Sequence, residues 1–185
     1  MSFTVHTVET APDGSREHLA LLQERIGFLP NLAASIGGAP AAIASFNAQQ
    51  GALRTTTLTG AEREVVGVTV SLGNTCAYSM AAHSVFALGN GLPMEVLEPL
   101  RAGRELPDAR LEALRVFTEE LVRSRGHVGA ADLAAARAAG FDDGQLLEII
   151  TQAAYTTFAN WAANVGGAPV DAAFECMAWT APASA

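Results

Sequence analysis

Thr59-Gly60-Ala61-Glu62-Arg63-Glu64-Val65-Val66-Gly67-Val68-Thr69-Val70 decides the fold, because it reads two ways. The β-branched run from Val65 has strand propensity, and propensity alone leaves strand and helix open. The start of the stretch settles it. Thr59 and Glu62 form a capping box: a hydroxyl at the cap and a carboxylate three residues later, each able to serve the other's backbone N–H. A helix opening at Thr59 and buried on every side accounts for both the cap and the apolar run.

The composition agrees with an all-α fold. The chain has 185 residues, of which 50% are hydrophobic and 16% charged, so one domain spanning 1–185 can bury a large core. Alanine fills 37 positions and aromatics are few, which favours closely packed helices over a β-sandwich.

Outward from Thr59 the chain divides into short helices. Residues 1–14 read as an extended lead-in ending in the turn Pro12-Asp13-Gly14, and Ser15 is placed to cap a helix carrying Leu19, Leu22 and Ile26. Gly27-Phe28-Leu29-Pro30-Asn31 breaks that helix. A short helix to Gly37-Gly38 follows, then one over about 40–54 opened by Pro40. Downstream, Gly73-Asn74-Thr75 is a turn capping a helix over about 75–90, and Pro93 starts a short one. Asp108 caps an amphipathic helix with Leu111, Leu114, Phe117 and Leu121 inward, and its arginines and glutamates read as a solvated face. A small alanine-rich helix spans 129–139. A long one runs from about 143 to 164 behind the cap Asp142-Asp143-Gly144-Gln145. The tail from about 169 to 185 is weakly patterned, and Trp179-Thr180-Ala181-Pro182 is expected to fray.

One internal echo stands out. Glu64 lies five residues after Thr59 and twelve before Cys76; Glu148 lies five after Asp143 and twelve before Asn160. A repeated helical unit would produce this echo, and so would chance at this level of match.

Several chemistries are excluded. All eleven basic residues are arginine, so no lysine can form a Schiff base with a carbonyl substrate or pyridoxal phosphate, or serve a P-loop. A net charge of −8 without an arginine cluster argues against nucleic acid as a partner. The start, Met1 to His6, has no signal-peptide pattern, and no apolar run is long enough for a membrane span, so a cytoplasmic protein is expected. Cys76 and Cys176 form no disulfide framework, and neither CxxC, HExxH nor a zinc-like spacing occurs, so no metal site is expected.

The segment that can carry chemistry is Asn74-Thr75-Cys76-Ala77-Tyr78-Ser79-Met80-Ala81-Ala82-His83. On a helix Ser79 and His83 share a face, with Cys76 one turn nearer the N-terminus. A first-turn cysteine feels the positive end of the helix dipole, which favours thiolate. His83 can exchange protons with a group between them. Glu64, on the preceding antiparallel helix, is placed to orient the histidine or relay its proton. Taken singly, Cys76 reads as a small buried hydrophobe, His83 as a satisfied core histidine and Glu64 as a buried helix-end partner. Together, at this spacing, they read as a site. Ser79 as a nucleophile activated by His83 would need a third member and an oxyanion donor, and the sequence names neither. Glu148 reads as a structural counterpart of Glu64. His6, His18 and His127 read as surface, Tyr78 and Trp161 as packing or pocket wall, and Cys176 as structural or incidental.

This segment resembles the AhpD-like / carboxymuconolactone decarboxylase superfamily, especially its peroxidase-related members. The family pattern is a glutamate, eleven residues, Cys-x-x-Cys, three residues and a histidine. Glu64, Cys76 and His83 fall at those spacings, and Asn74 and Tyr78 fit the common Asn-x-Cys-x-Tyr-Cys form. Similar stretches are Ile26-Gly27-Phe28-Leu29-Pro30-Asn31, Leu58-Thr59-Gly60-Ala61-Glu62-Arg63-Glu64 and Ala159-Asn160-Trp161-Ala162-Ala163-Asn164. The second motif cysteine is Ser79 here.

The resemblance implies an AhpD-like helical fold with two similar halves and thiol-dependent reduction of alkyl hydroperoxides, an antioxidant activity. The catalytic set it implies is Glu64, Cys76, Ser79 and His83, with position 79 the one that attacks the peroxide. It implies no metal, flavin or haem, a small hydroperoxide substrate, an external thiol or dithiol reductant, and a homo-oligomer (dimer, trimer or hexamer). A serine hydroxyl cannot reduce a peroxide, so the dithiol cycle is expected to be impaired. The alternatives are a cofactor-free enzyme like carboxymuconolactone decarboxylase, or a non-catalytic binding oligomer.

Overall fold

The ambiguous valine run is helical. In the computed structural model, which describes residues 2–180, it forms the middle of α4 (Gly60–Gly73). Val65, Val66, Val68 and Val70 are all fully buried. Burying a valine is worth about 1.5–3 kcal/mol. Its helix-propensity deficit is below about 0.7 kcal/mol. Packing therefore wins over the strand preference. The capping box is formed as the sequence predicts: Thr59 Oγ1 accepts from Glu62 N at 3.1 Å, and Glu62 Oε2 accepts from Thr59 N at 2.8 Å.

Around α4 stand eight further α-helices among the described residues, with no strand. They are α1 (Asp13–Ile26), α2 (Asn31–Ile36), α3 (Pro40–Leu53), α5 (Ala77–Gly89), α6 (Met94–Arg101), α7 (Ala109–Arg123), α8 (Ala130–Ala138) and α9 (Asp143–Gly166). A 3-10 turn spans Ala172–Met177. Helix α4 packs against α5, α7 and α9. One core cluster joins α4 to α6, α7 and α8; a second joins α1, α2 and α3 to the start of α5 and the later turns of α9. Among the described residues no helix is long and apolar enough to cross a membrane.

The turn between α4 and α5 is held from α9. Asn74 Nδ2 donates to Asn160 Oδ1 at 3.0 Å, Asn160 Nδ2 to Ser71 Oγ at 3.3 Å, and Asn164 Nδ2 to the Asn74 carbonyl at 2.9 Å. Thr75 takes a left-handed φ of 52°, and Cys76 N closes onto the Ser71 carbonyl at 2.9 Å. Helix α5 therefore starts at Ala77 with Cys76 as its N-cap residue, two positions later than the sequence predicts.

Other local expectations need correction. Ser15 does not cap α1. Pro12 precedes the helix, and Ser15 lies buried in its first turn with an unpaired hydroxyl. The outer face of α7 is not uniformly solvated. Arg115 is buried and bonds both Glu112 and Glu119 at 2.7 Å, because a buried guanidinium needs carboxylate partners. The tail does not fray as far as residue 180. Phe174 is buried, Trp179 packs on the first core cluster, and Arg101 donates to the carbonyls of Met177 and Ala178, each at 3.0 Å. Ala181-Pro182 and the rest of the tail lie outside the described residues.

Candidate functional site

The short turn lays α5 back along α4, and this brings Glu64 to His83. Glu64 Oε2 lies 2.7 Å from His83 Nδ1, with side-chain exposures of only 14% and 13%. An ionised carboxylate can only accept, so Nδ1 is the donor, and in the neutral imidazole Nε2 then keeps its lone pair. Gly67, one turn after Glu64, makes room for the ring: a β-carbon there would stand 2.5 Å from His83 Nδ1.

Ser79 sits one turn before His83 on α5 and is 3% exposed. Ser79 and His83 both line a small cavity of about 80 Å³. Its walls are mainly apolar, from Ile26, Pro30 and Leu32 on one side to Phe46, Phe86 and Phe174 on others. The Ile26–Asn31 stretch thus supplies wall residues, and Gly27 ends α1 in the left-handed region at φ 89°. Phe174 packs edge-on to Phe28, Tyr78 and Phe86.

Two tyrosines complete the wall. Tyr78 donates to Asp171 Oδ2 at 2.5 Å and accepts from Leu32 N at 3.3 Å. Burial, then the hydrogen bond and charge of Asp171, push its phenol far above the usual range. Both bonds fix the Tyr78 ring in the wall. Burial likewise raises Tyr155, whose hydroxyl accepts from Gln50 at 3.4 Å. Gln50 is itself held by Arg25 at 2.9 Å.

The remaining expected residues lie elsewhere. Cys76 is fully buried in the second core cluster and is absent from the cavity wall. Cys176 is an exposed free thiol on the 3-10 turn. Glu148 accepts from Thr57 N at 3.0 Å and Leu58 N at 3.3 Å, clamping the loop that leads into α4. Trp161 is absent from this cavity; it is 62% exposed on α9 and lines two other surface pockets. Among the described residues, no three acidic, histidine or cysteine side chains gather as metal ligands.

The sequence reading missed Gly67, Gln50, Asp171 and Phe174. A glycine inside a valine-rich helix was the available signal for the first. Asp171 and Phe174 sit in a tail without periodicity, so only the fold reveals them.

The whole architecture is similar to a crystal structure from Ralstonia eutropha described as an alkylhydroperoxidase AhpD core and an uncharacterised peroxidase-related protein. The TM-score is 0.83 at 26% identity, over 95% of this chain and 94% of that one. The fold is AhpD-like. A peroxidase-related protein from a Silicibacter species shares the AhpD-like fold at TM-score 0.79 and 22% identity, over 94% of this chain and 92% of that one. So does the debrominase Bmp8, solved with 2,3,4-tribromopyrrole, at TM-score 0.75 and 14% identity, over 89% of each chain. No protein-family model matches the sequence, and no curated protein matches it.

Proposed function

We propose that this AhpD-like chain performs proton-transfer chemistry on a small, mainly apolar molecule, and that dithiol reduction of hydroperoxides is impaired in it. One observation carries the reading. Of the two motif positions, the one on the cavity wall is Ser79, and the one that keeps its thiol, Cys76, is sealed in the core. A two-cysteine cycle needs a thiol at the wall to meet the peroxide and a second to close the disulfide. The Glu64–His83 pair needs neither and keeps a lone pair available beside the cavity. The debrominase neighbour supports a small apolar ring as one fitting kind of ligand. The exposed α9 residues Leu147, Ile150, Trp161 and Val165 support assembly of the chain as a homo-oligomer.

The test is consumption of an organic hydroperoxide with an external dithiol as reductant, for the chain as it stands and for Ser79→Cys. The expected result is turnover only in the variant, lost again when His83→Asn is added. Turnover by the chain as it stands would overturn the impairment. Silence of both, with Ser79→Cys folded, would sever the site from the chemistry its resemblance implies.

A further inference from the structure

We propose that Ser79, His83 and Glu64 act as nucleophile, base and orienting carboxylate in the hydrolysis of small apolar carboxylic esters. The inference rests on the proton-transfer reading of His83 and adds a covalent step to it.

Geometry supplies the parts. Ser79 and His83 are four residues apart on α5 and face the same cavity. Residues four apart share a helix face, which puts the Ser79 hydroxyl and the His83 ring on the same side of α5. Glu64 holds Nδ1 at 2.7 Å and so fixes the tautomer whose Nε2 accepts a proton. This is the division of labour in a serine–histidine–carboxylate triad, with Glu64 as its third member. The first turn of α5 has no side-chain cap, so the amides of Tyr78 and Ser79, both cavity-wall residues, are the candidate oxyanion donors.

The cavity selects the substrate class. No arginine is among its lining residues, and Phe46, Phe86, Phe174 and Leu32 dominate the wall. A neutral ester with a short apolar acyl group fits such a wall; a carboxylate or phosphate would lose its hydration without a cation to replace it. In the first step Ser79 Oγ bonds the ester carbonyl carbon while its proton passes to His83 Nε2. The tetrahedral intermediate then breaks its bond to the alkoxy oxygen, which leaves as the alcohol with the proton from His83. Water, deprotonated by His83, attacks the acyl-serine, releases the acid and restores Ser79. No electrons change hands, and water is the only co-reactant.

A fluorophosphonate probe and p-nitrophenyl butyrate test this on the intact chain. The expected result is one phosphonyl adduct mapped by mass spectrometry to the Ser79 peptide, and hydrolysis that Ser79→Ala removes. Glu64→Gln should lower the rate by about a hundredfold or more. Cys176→Ala should label as the parent does. Absence of the Ser79 adduct, or hydrolysis unchanged in Ser79→Ala, overturns the triad. If Ser79→Ala still hydrolyses but His83→Asn does not, His83 activates water directly: the nucleophile is refuted and the proton-transfer reading stands. If His83→Asn also hydrolyses normally, that reading fails for esters too. Circular-dichroism melts show whether each variant is folded, and fluorophosphonate labelling of a folded Glu64→Gln gives a second readout that does not depend on ester turnover.

Discussion

The imidazole of His83 stands where a side chain at position 67 would be: a β-carbon on Gly67 falls 2.5 Å from its Nδ1 and 2.8 Å from its Cγ. Glycine inside a helix costs about 0.5–1 kcal/mol relative to alanine. Here that cost permits α4 and α5 to close until Glu64 reaches the ring. Gly67→Ala should recover the helix propensity and still be worse off, since overpacking costs about 1–3 kcal/mol. The expected outcome is a lower melting temperature and loss of the single Nδ1-protonated tautomer of His83, read from ring-nitrogen NMR shifts. A raised melting temperature with an unchanged tautomer would contradict this account.

The legibility of this chain follows the reach of each interaction. Caps and periodicity are local, so the box at Thr59 and Glu62 and the box at Asp142 and Gln145 stand in the structure as they read in the sequence. The Glu64–His83 partnership spans 19 residues and still showed through its spacing across one helical hairpin. Cys76 illustrates the limit. Its place near the helix start was legible, but its separation from the cavity depends on how the turn before α5 is tied to α9, through contacts of 86 to 90 residues. Asp171 reaches back 93 residues to Tyr78, and nothing in its neighbourhood marks it.

The two thiols should differ in accessibility. Cys176 is exposed, whereas Cys76 has no solvent-accessible surface. A native sample treated with a chromogenic disulfide reagent should release one equivalent quickly and the second only on unfolding. Cys176→Ala should leave the folded chain nearly silent. Rapid reaction of both thiols in the native state would show that Cys76 reaches solvent, and would reopen a single-thiol reaction at this site.

Asp171 ties the tail to the cavity. It accepts from the Tyr78 hydroxyl and from Asn31 N at 3.0 Å, and it is itself buried. Asp171→Ala would leave both donors unpaired, at about 1–3 kcal/mol for each group that water cannot reach. Tyr78→Phe leaves Leu32 N without its acceptor and takes one donor from Asp171, so it should also cost about 1–3 kcal/mol. Hydrogen exchange should show amides of the 3-10 turn around Phe174 losing protection in Asp171→Ala before the core of α4 does. Equal loss throughout would mean that the turn and the core unfold as one unit.

Glu62 gives a stability difference with a defined pH dependence. Burial opposes its ionisation, but the bonds from Thr59 N, from Arg110 at 2.8 Å and from the Thr59 hydroxyl outweigh this and hold its carboxyl below the usual range. A carboxyl lowered in the folded state stabilises the fold above its unfolded value, near 4.3 on the reference scale of about 3.9–4.3. That contribution is lost as pH falls through the lower folded value. Glu62→Gln keeps a capping-box acceptor and loses the charge that Arg110 pairs with, at about 1 kcal/mol near neutral pH. Denaturant melts of parent and variant should therefore differ at pH 7, with the gap narrowing as pH falls below about 4.3. The other carboxyls, including the similarly lowered Glu112 held by Arg115, titrate in both proteins and cancel in the difference. A gap that stays constant down to acidic pH would show that the Glu62 charge contributes nothing to the fold.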